Sequence, residues 1–212
     1  MALAAAVLLV AFPPTRHVLR QAARAGIRAI ADARAAEARE RVVAQYARKY
    51  GISRDMADAI ERAARAERVR TELAFRLVRV ESAFNPRALS PVGAIGLTQL
   101  MLPTARELQP GITRERLYDR DTNLRLGFRY FRSLLRFYDG DVETALHAYN
   151  RGIGTVARIR KAGGDPANGY ARKVLGDPGA SPVGPVSPDT TPATPVVPRM
   201  DELAPVRLPA GM

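Results

Sequence analysis

The 212-residue chain contains no cysteine. That excludes disulfide bridges, thiol catalysis and cysteine-ligated metals. Histidine is nearly as scarce, with His17 and His147 the only two. This argues against a histidine-rich metal centre, and no metal or cofactor is expected. Long apolar runs are missing too. The first fourteen residues, M-A-L-A-A-A-V-L-L-V-A-F-P-P, carry no charged side chain. Their apolar heart, Ala2 to Phe12, falls well short of the roughly 20 residues that span a bilayer. No alternation of apolar and polar residues marks a strand. Acidic residues are under-represented, 21 against 33 basic, for a formal charge of +12.

The positive excess is concentrated. Residues 16–70 carry 14 basic and 7 acidic side chains, residues 71–176 carry 17 and 10, and residues 177–212 carry 2 and 4. Such an excess suits polyanionic partners: nucleic acid, anionic lipid or an acidic wall polymer. Arginine accounts for nearly all of it, 30 residues against 3 lysines.

Composition divides the chain into four parts. Residues 1–14 suit the apolar core of a signal peptide or anchor, although the basic residues follow the run instead of preceding it. That charge order would keep the following segment in the cytoplasm, so either the protein is not exported or its true start lies upstream; what the rest of the chain looks like favours a protein exported to, or anchored at, the cell envelope or periplasm. Residues 15–50 are rich in alanine and arginine and predict a helical extension. Arg16, Arg20, Arg24 and Arg28 form one stripe of that helix, either a solvated face or a face lying on anionic headgroups. Residues 51–176 predict a compact all-α domain. Ser53 caps a helix to about Ala66, Thr71 caps another over Glu72 to Ala83, and Pro103 opens a short one over Thr104 to Leu108. A stripe of Leu124, Phe128, Phe131, Leu134 and Leu135 marks a helix within Asn123 to Tyr138, and a further helix covers Val142 to Tyr149. Residues 177–212 hold nine of the sixteen prolines and read as a disordered spacer.

One acidic residue stands out against this pattern. In the helix over Glu72 to Ala83, Leu73, Leu77 and Val80 mark an inner face, and Glu81 continues it four residues after Leu77. A carboxyl so placed is shielded from water, which disfavours its charged form and raises its pKa. A protonated glutamic acid near neutral pH is equipped for general acid catalysis. Two further stretches offer tools for binding. S-P-V-G-A-I-G-L-T-Q holds Gly93 and Gly96, which permit close backbone approach. A-Y-N-R-G-I-G, Ala148 to Gly154, sets a tyrosine and an asparagine beside a glycine-rich turn, able to meet a sugar's ring and amide.

Four blocks in order, V-E-S-A-F-N-P (80–86), G-A-I-G-L-T-Q-L-M (93–101), D-x-x-x-N-L-x-x-G (119–127) and A-Y-N-R-G (148–152), resemble the transglycosylase SLT domain. This is the lytic transglycosylase family of goose-lysozyme-like fold, and the resemblance covers roughly Gly51 to Gly176. It implies an α-rich lysozyme-like catalytic domain. It implies that Glu81 is the single catalytic acid and base, with Ser82 positioning substrate or the acid. Gln99, Tyr149 and Asn150 would line the cleft and Tyr170 would close it. The chain departs from the family at Thr98, where methionine is common, so the sugar contact at that wall is altered. The implied reaction cuts the β-1,4 bond between N-acetylmuramic acid and N-acetylglucosamine in peptidoglycan and leaves a 1,6-anhydro end. The implied partners are glycan strands, without nucleic acid, bound by a monomer.

Two other readings stay open on the residues. A hydrolytic muramidase of the same fold would need a second carboxylate to activate water, for which Asp139, Asp141 and Glu143 are available. A non-catalytic basic protein would bind nucleic acid or membrane through its arginines, although no aromatic-interleaved basic patch is present.

Overall fold

The structure is a computed structural model that describes residues 16–176. The apolar segment 1–14 and the proline-rich tail 177–212 lie outside the described residues. Within them all regular secondary structure is helical, as expected, and two isolated bridges, Leu89 with Ile95 and Ile95 with Leu100, are the only β pairings. The chain divides after Gly51 into two units.

The first unit holds one long helix, α1, Arg16–Tyr50. Alanine and arginine favour it, and its single Gly26 is tolerated in so long a run. Its middle is solvent-exposed, and Glu37 and Arg41 pair across one turn at 2.6 Å. Near its end, Tyr46 and Tyr50 stack at 6.2 Å, with the Lys49 ammonium over both rings.

The second unit is built around one buried helix. Helices α2 (Arg54–Ala66), α3 (Thr71–Ser82), α4 (Leu102–Leu108) and α5 (Arg114–Leu117) precede it, and α6 (Arg120–Phe137) is the hub. Asp119 caps α6 by accepting the Thr122 N–H at 3.0 Å. Leu124, Leu126, Phe128, Phe131 and Leu134 are fully buried, so α6 is apolar around most of its girth and touches α2, α4, α5 and α7 (Val142–Arg151). Helices α8 (Ile153–Lys161) and α9 (Tyr170–Leu175) follow, with α9 packed on α3 and α7.

Local signals explain most boundaries. Ser53 accepts the Met56 N–H and caps α2; Asp141 accepts the Thr144 N–H at 3.1 Å and caps α7. The structure corrects one cap. Thr71 already lies inside α3, Arg70 is the N-cap, and no side chain caps that end. Helices α5, α8 and α9 were not expected. Gly152, at φ 80°, separates α7 from α8 by a single residue, so within the stretch Ala148 to Gly154 only Gly152 is outside a helix.

Candidate active site

Helix α3 positions the carboxylate. Its buried residues are Leu73, Ala74, Phe75, Leu77 and Val78, whereas Val80 is only half-buried. The stripe that leads to Glu81 is thus Ala74, Leu77 and Val78, seven, four and three residues before it, in place of the expected Leu73, Leu77 and Val80. The helix stops directly afterwards. Ala83 and Phe84 both adopt left-handed backbone, at φ 48° and 65°, and Asn85 accepts the Arg87 N–H across Pro86.

Part of the Glu81 residue meets solvent, but its carboxyl is withdrawn from water. Burial pushes its pKa up to about 7, against a smaller opposing effect from the Tyr170 hydroxyl, which donates to Oε1. A carboxyl raised this far keeps its proton nearer to neutral pH than an ordinary glutamate does, so one residue can serve as donor and then as acceptor. Tyr149 and Tyr170 are held neutral, their pKa values driven well up first by burial and then by the Glu81 charge. Glu81, Tyr149 and Tyr170 therefore form one electrostatically linked group.

Tyr170 is fixed from both sides. Its own N–H reaches Asn168 Oδ1 at 3.2 Å, and Asn168 Nδ2 donates to Asn150 Oδ1 at 2.8 Å. Arg151 Nη1 holds the Pro166 carbonyl at 3.0 Å. At the far end of α9, the Arg76 guanidinium donates to the Leu175 carbonyl while its Nε pairs with Glu72 at 2.6 Å. Asn150, expected to meet substrate, is exposed at the rim, with its amide oxygen engaged by Asn168.

The loop 93–101 forms the opposite support. Tyr149 donates to the Thr98 carbonyl at 2.8 Å, and its ring packs on Tyr130 and Phe131 at 5.4 and 5.8 Å. Ser82 Oγ donates to the carbonyls of Leu97 at 2.8 Å and Val78 at 3.2 Å, so its proton joins loop to helix. Gln99 sits at φ 46° and spends its amide donors on the Gly96 carbonyl at 2.9 Å and the Ala88 carbonyl at 3.4 Å. Thr98, expected to alter the sugar contact at the cleft wall, lies beneath the surface instead. Thr98 is fully buried, and its hydroxyl donates to Asn123 Oδ1 at 2.8 Å. A threonine fits because its hydroxyl finds a buried partner, which a methionine thioether could not supply.

Asn123 and Gly127 were overlooked as site-building residues. The Asn123 amide is fully used: Oδ1 accepts the Thr98 N–H at 2.9 Å, and Nδ2 donates to the Ile95 and Leu117 carbonyls, both at 2.9 Å. Gly96 must lack a Cβ, which would lie 2.5 Å from Asn123 Nδ2, and Gly127 must lack one because it would meet Thr98 Oγ1 at 2.2 Å. The signal was in the D-x-x-x-N-L-x-x-G block. Asp119, Asn123 and Gly127 recur every four residues, which sets a cap, an amide and a gap on one helical face.

The candidate hydrolytic carboxylates lie elsewhere. Asp139, Asp141 and Glu143 sit at or before the first turn of α7, whereas Tyr149 is near its other end, roughly 10 Å further along the axis. Asp141 is also occupied as a cap, which holds its carboxyl below the usual range.

The model of the transglycosylase SLT domain matches residues 58–169, just over half of the chain. A transglycosylase of enterobacteria phage PRD1 is 47% identical over 76 residues, which cover 36% of this chain and 27% of that protein. The soluble lytic murein transglycosylase of Escherichia coli strain K12 is 32% identical over 105 residues, 47% of this chain and 16% of the relative. Among solved structures, the 70-kDa soluble lytic transglycosylase in complex with bulgecin A superposes with a TM-score of 0.50 at 30% identity. That match covers 56% of this chain and 22% of the other. The chain thus spans about a quarter or less of the length of these relatives.

Proposed function

The chain belongs to the transglycosylase SLT domain family, and from that premise we propose that it is a peptidoglycan lytic transglycosylase. The observation that carries the reading is the Glu81 carboxyl, poised at about pH 7 by burial and touched by Tyr170. The acids that a hydrolase could use, Asp139, Asp141 and Glu143, stand at or before the first turn of α7, whereas Tyr149, which feels the Glu81 charge, is near the other end of that helix. A lone acid fits a reaction whose nucleophile is supplied by the substrate.

The steps are as follows. The Glu81 carboxylic acid gives its proton to the glycosidic oxygen between N-acetylmuramic acid and N-acetylglucosamine, and the bond from that oxygen to C1 breaks. The C6 hydroxyl of the same muramic residue bonds to C1 and gives its proton to the Glu81 carboxylate. The enzyme ends as it began, and the product carries a 1,6-anhydro ring. An internal nucleophile already tethered to the reacting sugar gains the advantage of proximity. Tyr149, Gln99 and the Asn150 rim line the glycan's path, with Ser82 and Thr98 supporting that wall from behind.

The proposed setting is the cell envelope, with the enzyme acting as a monomer and the arginine-rich segment that holds Arg24 and Arg28 resting on anionic headgroups. Among the described residues no helix is long and apolar enough to cross a membrane. The proline-rich residues 177–212 would serve as a spacer.

Mass analysis of digested sacculi tests the chemistry. The expected termini are 1,6-anhydro-muramic acid, about 18 mass units lighter than reducing ends by the loss of one water. Mainly reducing termini that take up oxygen from labelled water would overturn the reading and favour a hydrolase.

Replacing Tyr170 gives a second test. Its hydrogen bond favours the Glu81 anion, so Tyr170→Phe should raise the Glu81 pKa. A hydrogen bond to a charged group contributes about 1.5–3 kcal/mol, which corresponds to roughly one to two pH units. The alkaline limb of the rate profile, where the acid loses its proton, should move up by about that amount. A limb that stays in place or moves down would show that Tyr170 does not tune the acid.

A further inference from the structure

Away from Glu81, the second unit carries a groove of about 590 Å3 lined by Arg68, Arg70, Arg132 and Arg136. It sits at the N-terminal end of α3, roughly 16 Å along the helix from Glu81. None of these four guanidinium groups has an ion-pair or hydrogen-bond partner among the described residues. Neighbouring arginines behave differently. Arg62 pairs with Asp58 at 2.5 Å, Arg76 with Glu72 at 2.6 Å and Arg129 with Glu67 at 2.9 Å. Of the carboxylates that flank the lining residues in sequence, Glu67 and Glu72 are thus committed to other arginines, Asp141 accepts the Thr144 hydroxyl at 2.6 Å and Glu143 lies 3.8 Å from His147 Nε2. One acid, Asp139, remains at its edge.

The backbone adds a second sign. Arg68 follows the end of α2 at φ 56°, in the left-handed region where a helix usually ends on glycine. An arginine held there places a guanidinium where glycine would be conformationally easier.

The walls indicate what the groove takes. Leu73, Leu135 and Val142 give it an aliphatic floor, and Leu73 is almost wholly recessed. A flat bilayer cannot reach a recessed floor, and no aromatic ring is present for a nucleobase to stack on. Guanidinium forks match carboxylates, and small aliphatic surfaces match alanine methyls. The volume is that of a short peptide. We propose that this groove is a second binding site for the carboxylate-bearing stem peptides of peptidoglycan, which holds a wall strand apart from the one being cut. The assignment rests on peptidoglycan as the substrate.

The test is calorimetric titration with a peptidoglycan tripeptide bearing free carboxylates and with its fully amidated form. Two variants are used, Arg132→Gln with Arg136→Gln, and Arg68→Gly with Arg70→Gln. Glycine suits the backbone at position 68, so the second variant does not threaten the fold. The native chain should bind the free acid at least tenfold more tightly than the amide, and both variants should lose about tenfold. The ratio of cutting rates on peptide-bearing sacculi to peptide-free strands should fall about fivefold in both. Equal binding of acid and amide, unchanged binding by the variants, or binding of anionic vesicles or an oligonucleotide with no binding of peptide would each overturn the site. If the native chain cut neither wall substrate, the enzymatic reading would fail instead, and the titration does not depend on that outcome.

Discussion

Glu81→Gln should abolish the cutting of sacculi, by at least the ~10²–10⁴-fold that general acid catalysis contributes. Glutamine has nearly the same shape and can still accept the Tyr170 hydrogen bond, but it has no acidic proton to give. The same change should stabilise the fold at alkaline pH. Glu81 has its folded-state pKa raised to about 7, above the roughly 4.3 of an unfolded glutamate. Between those values the unfolded chain releases its proton and the folded one retains it. The stability that the protonated carboxyl supports is therefore complete below about pH 4.3 and is lost as the pH rises through about 7. Glutamine does not ionise, so the melting temperature of the variant should match the native one near pH 4 and exceed it at pH 8. Melting curves and turnover at both pH values check the two halves. Residual activity within about tenfold of native would remove Glu81 as the acid, and a variant less stable at pH 8 would mean that the carboxylate supports the fold.

The start of α2 was legible from its cap Ser53, whereas α6 and α7 were expected from their apolar pattern, α6 three residues later than its cap Asp119 places it. Ser53, Asp119 and Asp141 each accept a backbone N–H in the first turn, and such caps are local signals that need no knowledge of the rest of the chain. Helices α5, α8 and α9 escaped notice for a physical reason. They run for four, nine and six residues, too short for a strong 3.6-residue period, and α8 and α9 start from glycines with positive φ and no side-chain cap. The site was legible unevenly. An acid on the inner face of α3 follows from periodicity even though the stripe was misjudged by one residue, because a 100°-wide face contains Glu81 in either register. The hydrogen bond from Tyr170 to Glu81 joins residues 89 apart, and no local pattern encodes a contact of that span. Thr98, an unusual residue beside a motif, suggests a change in the cleft, but it is buried. Its hydroxyl is explained by Asn123, one of its neighbours in space.

Gly127→Ala should remove most of the proposed cutting activity from a position buried beneath the loop 93–101. A Cβ there would stand 2.2 Å from Thr98 Oγ1, 2.4 Å from Cβ and 2.6 Å from Cγ2. All three distances are shorter than real contacts permit, and Thr98 cannot rotate away because its whole side chain is in the way. The loop 93–101 would have to lift from α6. Lifting it breaks the bonds that Thr98 makes to Asn123 through its N–H and hydroxyl, and it withdraws the carbonyl that holds the Tyr149 hydroxyl. Overpacking of this kind costs about 1–3 kcal/mol, and leaving the buried Asn123 oxygen unpaired adds about 1–3 kcal/mol more. For a domain of this size that corresponds to a fall in melting temperature of roughly 5–20 °C. Gly154→Ala is the matched control. It also lies within a glycine-bearing stretch of the candidate site, but an added Cβ has nothing within 4 Å and the residue is on the exposed side of α8. Alanine there should be neutral or stabilising by up to about 1 kcal/mol. Thermal melts of the two variants, with turnover measured well below either transition, separate the cases. Equal stability and activity in both would mean that the fit between Gly127 and Thr98 does not hold the loop.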